Sequence, residues 1–211
     1  LSAHDIPGLN GFGVYPDLKD QPVLAPGLTR FRGEAVLALV GTQAALNAIA
    51  TDDLPITWQV LDAVTDPELA LLSRPINPAR NDNVLSSGRL RHGTDNGDSQ
   101  PASDQDTLEA SGAFSTPFVE HAYIEPEAGY AMPIGAGRIE IFASTQTPYM
   151  DREEVANVLG LEQSAVRIRP SACGGGFGGK LDQSVQPLLA LAATVTGQPV
   201  RMAYTRTESM A

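Results

Sequence analysis

Apolar and polar positions along this chain follow two rhythms, separated by long turn-forming stretches. Residues 34–41, EAVLALVG, form a short apolar run bounded by glycines, the pattern of a buried strand. Residues 42–50, TQAALNAIA, change period: Ala45, Leu46 and Ile49 share one helical face, and Thr42 is placed to cap the first turn. Residues 55–61, PITWQVL, return to a strand pattern, which completes a β-α-β unit of about thirty residues. Residues 1–30 are dense in Pro and Gly and predict turns and extended segments.

From Pro78 to Gln105 the chain is polar, which predicts a long surface loop and a domain boundary. The expected division is residues 1–90, a linker at 91–104, and residues 105–211. In the second part, residues 107–118 read as a strand, and 130–133 with 138–145 read as a hairpin around the turn IGAG. Residues 149–160 predict a helix with Thr147 as cap, Pro148 at its first position and Gly160 as its stop. Asp151, Glu153 and Glu154 fall in its first turns, where the helix dipole favours acidic groups. A strand at 165–170, a helix at 184–197 and a strand at 199–206 follow. No internal repeat is visible. Mixed elements in this order predict an α+β fold class.

Composition narrows the function. The chain has 211 residues, 42% of them hydrophobic, enough for a substantial core. Its formal net charge of -11 repels phosphate backbones and excludes nucleic acid as a partner. The longest apolar runs, Ala35 to Val40 and Leu188 to Val195, fall short of a membrane span, so no membrane partner is expected. The single Cys173 excludes an internal disulfide and a self-contained zinc-thiolate or iron–sulfur site. So few cysteines fit a reducing compartment, and a cytoplasmic location is expected. The start lacks both an initiator Met and a signal-peptide pattern, which predicts a fragment or a processed subunit.

The densest chemical signal is CGGGFGGKL, residues 173–181, between a predicted strand and a predicted helix. Gly174, Gly176 and Gly179 satisfy the dinucleotide pattern, and Gly174, Gly179 and Lys180 satisfy most of the Walker A pattern. The Walker reading lacks its magnesium-binding hydroxyl, because Leu181 follows the lysine. The dinucleotide reading lacks an acidic residue at the end of the next strand, where Glu208 comes late. Five glycines around Phe177 carry a high entropy cost, which points to a ligand that approaches the main chain closely.

The same loop resembles that of the molybdenum hydroxylases, the xanthine dehydrogenase and aldehyde oxidase family. Three further stretches agree with that family in order. DIPGLNGFGVYPDLKDQPVLA with FRGEAVLALVGTQAALNAI resembles its small α/β hammerhead domain. FSTPFVEHAYIEPEAGYA resembles the opening of its molybdenum-cofactor domain. IEIFASTQTPYMDREEVANVLGLEQSAVRI resembles its strand, Gln turn and helix ahead of the loop. The resemblance implies a hammerhead domain at 1–90 and the first part of a molybdopterin-binding domain at 105–211.

It also implies a site. Gln146 would donate its amide hydrogen to the apical oxo ligand of the metal. Gly176, Phe177, Gly178 and Gly179 would approach the molybdenum–molybdopterin cofactor, with Phe177 lining both metal and substrate. Read from the residues alone, Gln146 is a turn residue at a hairpin end. The implied reaction hydroxylates an aldehyde or N-heterocycle with water as the oxygen source. The general base, a Glu far downstream in the family, would lie outside this chain, as would part of the cofactor site, so the chain alone is expected to be inactive. Its partners would be the remainder of the molybdopterin-binding subunit, domains or subunits carrying iron–sulfur clusters and FAD, and the small-molecule substrate. Purine-oxidising members carry Glu where this chain has Leu181, which turns the expectation from xanthine towards an aldehyde or a less polar heterocycle. Two other classes stand beside this one: a non-catalytic binding or assembly module on the same fold, and a nucleotide-binding protein.

Of the remaining candidates, His121 and Glu125 are four apart but lie beside Pro126 and Gly129, so they are expected to tie a turn rather than to bind metal. Cys173 is expected to be a small packing residue, and Trp58 a core residue. Lys180 is expected to meet a cofactor phosphate or to form a surface salt bridge. His4 and His92 are expected at the surface.

Overall fold

The computed structural model describes residues 1–90 and 110–210. In chain order the regular elements are α1 (Gln43–Asn47), α2 (Pro67–Ala70), β1 (Ala128–Pro133), β2 (Ile139–Ala143), α3 (Pro148–Leu159), β3 (Val166–Pro170), α4 (Val185–Thr196), β4 (Val200–Ala203) and α5 (Arg206–Ser209). The four strands form one sheet in the order β3-β2-β1-β4. The mixture is α+β, as the order of patterns along the chain predicts.

β1 and β2 are an antiparallel hairpin, and its turn uses left-handed backbone at Gly135, Ala136 and Gly137. β2 and β3 are parallel, so the chain must cross over between them, and α3 supplies the crossover. α3 begins with Pro148 and ends at Gly160, whose φ of 63° makes a left-handed cap. α4 packs on β1, β2 and β4, and it also meets α3. Between these helices and the sheet lies the core: Ile139, Ile141, Val155, Val158, Val185 and Leu189, joined by Val23 and Leu24 from the N-terminal segment. Each such side chain contributes about 1.5–3 kcal/mol through burial.

Backbone contacts group Leu1–Ala63 with Glu120–Ala211 in one compact unit and Val64–Val119 in a second. The second unit is organised by Asn83, which accepts from Ile76 N and donates to the carbonyls of Ala70 and Arg74. The linker expected at 91–104 and His92 lie outside the described residues.

The N-terminal β-α-β expectation is corrected. The helix forms, with Thr42 Oγ1 accepting from Ala45 N at 3.3 Å, but it stops at Asn47. Residues 34–41 and 55–61 form neither strand nor ladder. Their main chain bonds singly: Ala35 O accepts from Ala25 N, and Ala38 bonds Leu1 in both directions. An apolar run becomes a strand only when a neighbour takes its N–H and C=O groups. Val60 is 93% exposed and Trp58 is 62% exposed, so Trp58 is not a core residue. Residues 110–118 of the strand expected at 107–118 likewise form no strand.

Candidate functional site

Sheet topology delivers three separate segments to one edge. β2 and β3 are parallel neighbours, so Gln146 beyond β2 and the glycine loop beyond β3 leave the sheet side by side. Crevices at the C-terminal ends of parallel strands are where α/β sheets bind ligands. β1 and β2 are antiparallel, with Gly129 opposite Ala143, so the segment ahead of β1 arrives at the same edge. This segment carries His121, Tyr123 and Glu125.

Gln146 grips the second half of the loop. Its Oε1 accepts from Gly178 N and Lys180 N, both at 3.2 Å, and its own N donates to Lys180 O at 3.1 Å. Two N–H donors fix which end of the amide is oxygen. Nε2 of this exposed residue is therefore left for a further acceptor, and it has no partner among the described residues. Thr147 takes the N-cap position of α3 as expected, without a side-chain cap bond, and its hydroxyl donates to Leu181 O at 2.9 Å, which ties the loop a second time.

Glu125 grips the first half. Its Oε2 accepts from Gly174 N at 2.7 Å, Ser144 Oγ at 2.6 Å and Lys180 Nζ at 2.7 Å. Lys180 Nζ also donates to Ser144 Oγ at 3.0 Å and lies 4.7 Å above the Tyr123 ring. Burial alone would raise the Glu125 pKa. The donors Lys180, Ser144 and Gly174, with the Lys180 charge, outweigh burial and hold it down to about 2. The Lys180 side chain is buried, so its ion pair is not a surface one, and its ammonium is committed to protein rather than to a phosphate.

Below the loop, Tyr123 donates to Glu127, and Arg206 donates to the carbonyls of Tyr123 and Ile124 at 2.8 and 2.5 Å. Burial, then the Glu127 carboxylate, pushes the Tyr123 phenol well above its ordinary value. His121 makes no bond to Glu125; its nearest charged neighbour is Glu120, 3.7 Å away. The expected turn-tying role belongs to Glu125 alone.

Space and strain in the loop are specific. A Cβ on Gly176 would lie 2.4 Å from Gln146 Oε1, and one on Gly179 would lie 2.7 Å from the Tyr123 ring. Phe177 has a φ of 52° and Gly178 a φ of 101°. A bulky residue in left-handed backbone is held there against its preference. The Phe177 ring is 77% exposed and Leu181 is 38% exposed, both at the rim of this edge. Cys173 is exposed too, with Sγ 3.3 Å from Gly175 O, so it is not a packing residue.

α4 braces the far side of the loop. Asp151, in the first turn of α3, is buried and accepts from Gln183 Nε2 at 2.9 Å and Gln186 Nε2 at 3.2 Å. Glu154 is also buried and pairs with Lys19. Both residues point into the protein, and burial raises both pKa values. A cavity of about 130 Å³ elsewhere in the unit is lined by Phe12, Arg30, Glu34 and Leu188, but Arg30 and Glu34 pair with each other there.

The nucleotide readings lose their geometry. Lys180 is buried against Glu125, and β4 pairs with β1 at the opposite edge rather than beside β3, so no dinucleotide β-α-β unit forms around the loop. Among the described residues no helix is long and apolar enough to cross a membrane.

Comparison with known proteins gives four matches. The family model for the molybdopterin cofactor-binding domain matches residues 76–211. The large molybdopterin subunit of nicotinate dehydrogenase from Eubacterium barkeri is 36% identical over 209 residues, covering 99% of this chain and 48% of that protein. Among solved structures, quinoline 2-oxidoreductase from Pseudomonas putida 86 matches with a TM-score of 0.79 and 26% identity, over 99% of this chain and 27% of that one. Aldehyde oxidoreductase from Desulfovibrio gigas matches in fold, with a TM-score of 0.80 at 22% identity, over 100% of this chain and 24% of that one. The chain spans about half the length of the curated relative and about a quarter of each solved chain.

Proposed function

The chain belongs to the molybdenum hydroxylase family, through its molybdopterin cofactor-binding domain, and from that premise we propose that it forms one wall of the cofactor site in an enzyme hydroxylating an aldehyde or N-heterocycle, with water as the oxygen source. Residues 1–90 are the hammerhead part of this reading, 91–104 the linker, and 105–211 the start of the cofactor part. The single observation that carries it is the Gln146 amide. Its oxygen is spent on Gly178 and Lys180 and its nitrogen is left facing outward beside glycines.

The residues fit such a group. Gly176 lets the Gln146 amide seat against the main chain, where a Cβ would displace it, and Gly178 has backbone that only glycine adopts without strain, beside the outward Gln146 Nε2 and the exposed Phe177. When bound, the molybdenum–molybdopterin cofactor supplies the two-electron redox chemistry that this set of side chains lacks. Gln146 Nε2 is the donor to an oxygen of that group, and Gly176, Phe177, Gly178 and Gly179 line its approach. The Phe177 ring and the Leu181 side chain form an apolar margin for the substrate and keep water from it. Leu181 offers no hydrogen bond, so a substrate that needs a carboxylate at this position is disfavoured. Glu125 is already committed to Lys180 and is not the proton acceptor in this reading, which takes that carboxylate, as the family resemblance implies, from outside residues 1–211. The remainder of the subunit, iron–sulfur and flavin domains or subunits, and a cytoplasmic location complete the proposal.

Metal and pterin analysis of the complete enzyme tests it. Stoichiometric molybdenum and pterin are expected, with kcat falling in Gln146→Ala by about a hundredfold, the scale of one lost oxyanion donor. A well-folded complex without molybdenum contradicts the reading and leaves an assembly module.

A further inference from the structure

Lys180 is bonded three ways to its surroundings. Its backbone N donates to Gln146 Oε1, its carbonyl accepts from Gln146 N, and its ammonium is buried on Glu125 and Ser144. Glu125 in turn holds Gly174 N, the first amide of the loop. Gly174 and Lys180, six residues apart, are thus drawn onto one carboxylate oxygen, and the loop between them is closed. The other end of that closure is the Gln146 side chain. Tyr123 is the floor: its ring lies under the ammonium and blocks any Cβ at Gly179.

We propose that Glu125 and Lys180 are positioning residues whose buried ion pair sets the main chain of 174–180 against Gln146, and so sets where Gln146 Nε2 points. The consequence for cofactor and substrate rests on the function proposed above; the loop geometry does not. Neutral donors alone would leave two alternatives open to the loop, because Gly175 and Gly178 can both swing through φ values on either side of zero. A charge-assisted contact at both Gly174 and Lys180, with the Lys180 ammonium buried, is strong and directional enough to select one.

Hydrogen exchange read by mass spectrometry on the complete enzyme tests this, alongside kcat and KM. Lys180→Met and Glu125→Gln are expected to speed exchange of amides 174–181 by about tenfold, while α3 and α4 exchange as in the wild type. The double variant Glu125→Gln with Lys180→Met leaves no unpaired buried charge, so its global stability recovers towards wild type while the loop stays fast. kcat falls in all three, with KM changing less, because a displaced amide acts on the reacting group rather than on general binding. Arg167→Gln, which removes one of the two arginines paired with the buried Glu140 away from the loop, is the control and leaves loop exchange unchanged. Loop exchange within about twofold of wild type in both single variants overturns the proposal. So does a double variant whose loop recovers together with its stability, since the pair is then only structural. An enzyme without molybdenum overturns the function proposed above, and the exchange result then decides the positioning role by itself.

Discussion

Glu125 and Asp151 brace the chain on either flank of the glycine loop, one from the segment ahead of β1 and the other from the first turn of α3. Glu125 holds Gly174 and Lys180; Asp151 holds Gln183 and Gln186. Each carboxylate is well supplied with donors, Glu125 at Oε2 and Asp151 at both oxygens, yet they titrate in opposite directions. Asp151 is raised by burial, and the bonds from Thr145, Gln186 and Gln183 do not offset it. Glu125 is more open to solvent, and its donors Lys180, Ser144 and Gly174, with the Lys180 charge, reverse the balance. Neutral amides satisfy lone pairs without compensating a buried charge, whereas an ammonium does both. The ionic brace lies against the proposed cofactor wall, and the amide brace lies away from it.

Removing the cation breaks this contrast most severely. Lys180→Met leaves the Glu125 charge unpaired and is expected to cost about 3 kcal/mol in denaturant titration, the low end for a buried pair because Glu125 keeps some solvent. Gly176→Ala comes next, at about 2 kcal/mol, since its Cβ would meet Gln146 Oε1 and must push the amide aside. A crystal structure of that variant is expected to show Gln146 released from Gly178 N. Asp151→Asn is milder, at about 1 kcal/mol, because one amide bond is lost while the cost of burying a charge disappears.

The smallest effect is in pH dependence, where the two braces have opposite signs. The Glu125 pKa is depressed, so its contribution is present above 4.5 and is lost as pH falls towards about 2. The Asp151 pKa is raised, so its contribution is present below 3.8 and is lost as pH rises through the folded-state value. Unfolding midpoints across acid pH are expected to flatten in Glu125→Gln at the low end and in Asp151→Asn above 3.8. Curves that change in the same direction would remove the distinction.

Much of the sheet half was legible because its signals are local. The IGAG turn, Pro148 ahead of α3, Gly160 and Gly197 at helix ends, and the apolar stretch of α4 each carry their own conformational reason. Residues 34–41 and 55–61 were not, because apolar patterning alone supplies neither a pairing partner nor a surface to be buried against. Gln146 and the glycine loop were legible through resemblance and are brought together by the parallel pairing of β2 with β3. Glu125, Ser144 and Lys180 were missed as a unit, since a buried ion pair spanning distant segments leaves no period in the chain. Asp151 and Glu154 were legible only as acids favoured by the helix dipole. Only Lys19, Gln183 and Gln186, far away in the chain, reveal them as buried.

The central claim is that Gln146 Nε2 faces the molybdenum–pterin group. The most direct measurement is the distance from that nitrogen to the nearest cofactor oxygen, in a structure of the complete enzyme purified with its cofactor. A separation within hydrogen-bonding range, below about 3.2 Å, is expected. Cofactor bound away from Phe177, or Gln146 Nε2 turned back onto protein acceptors, would contradict the account.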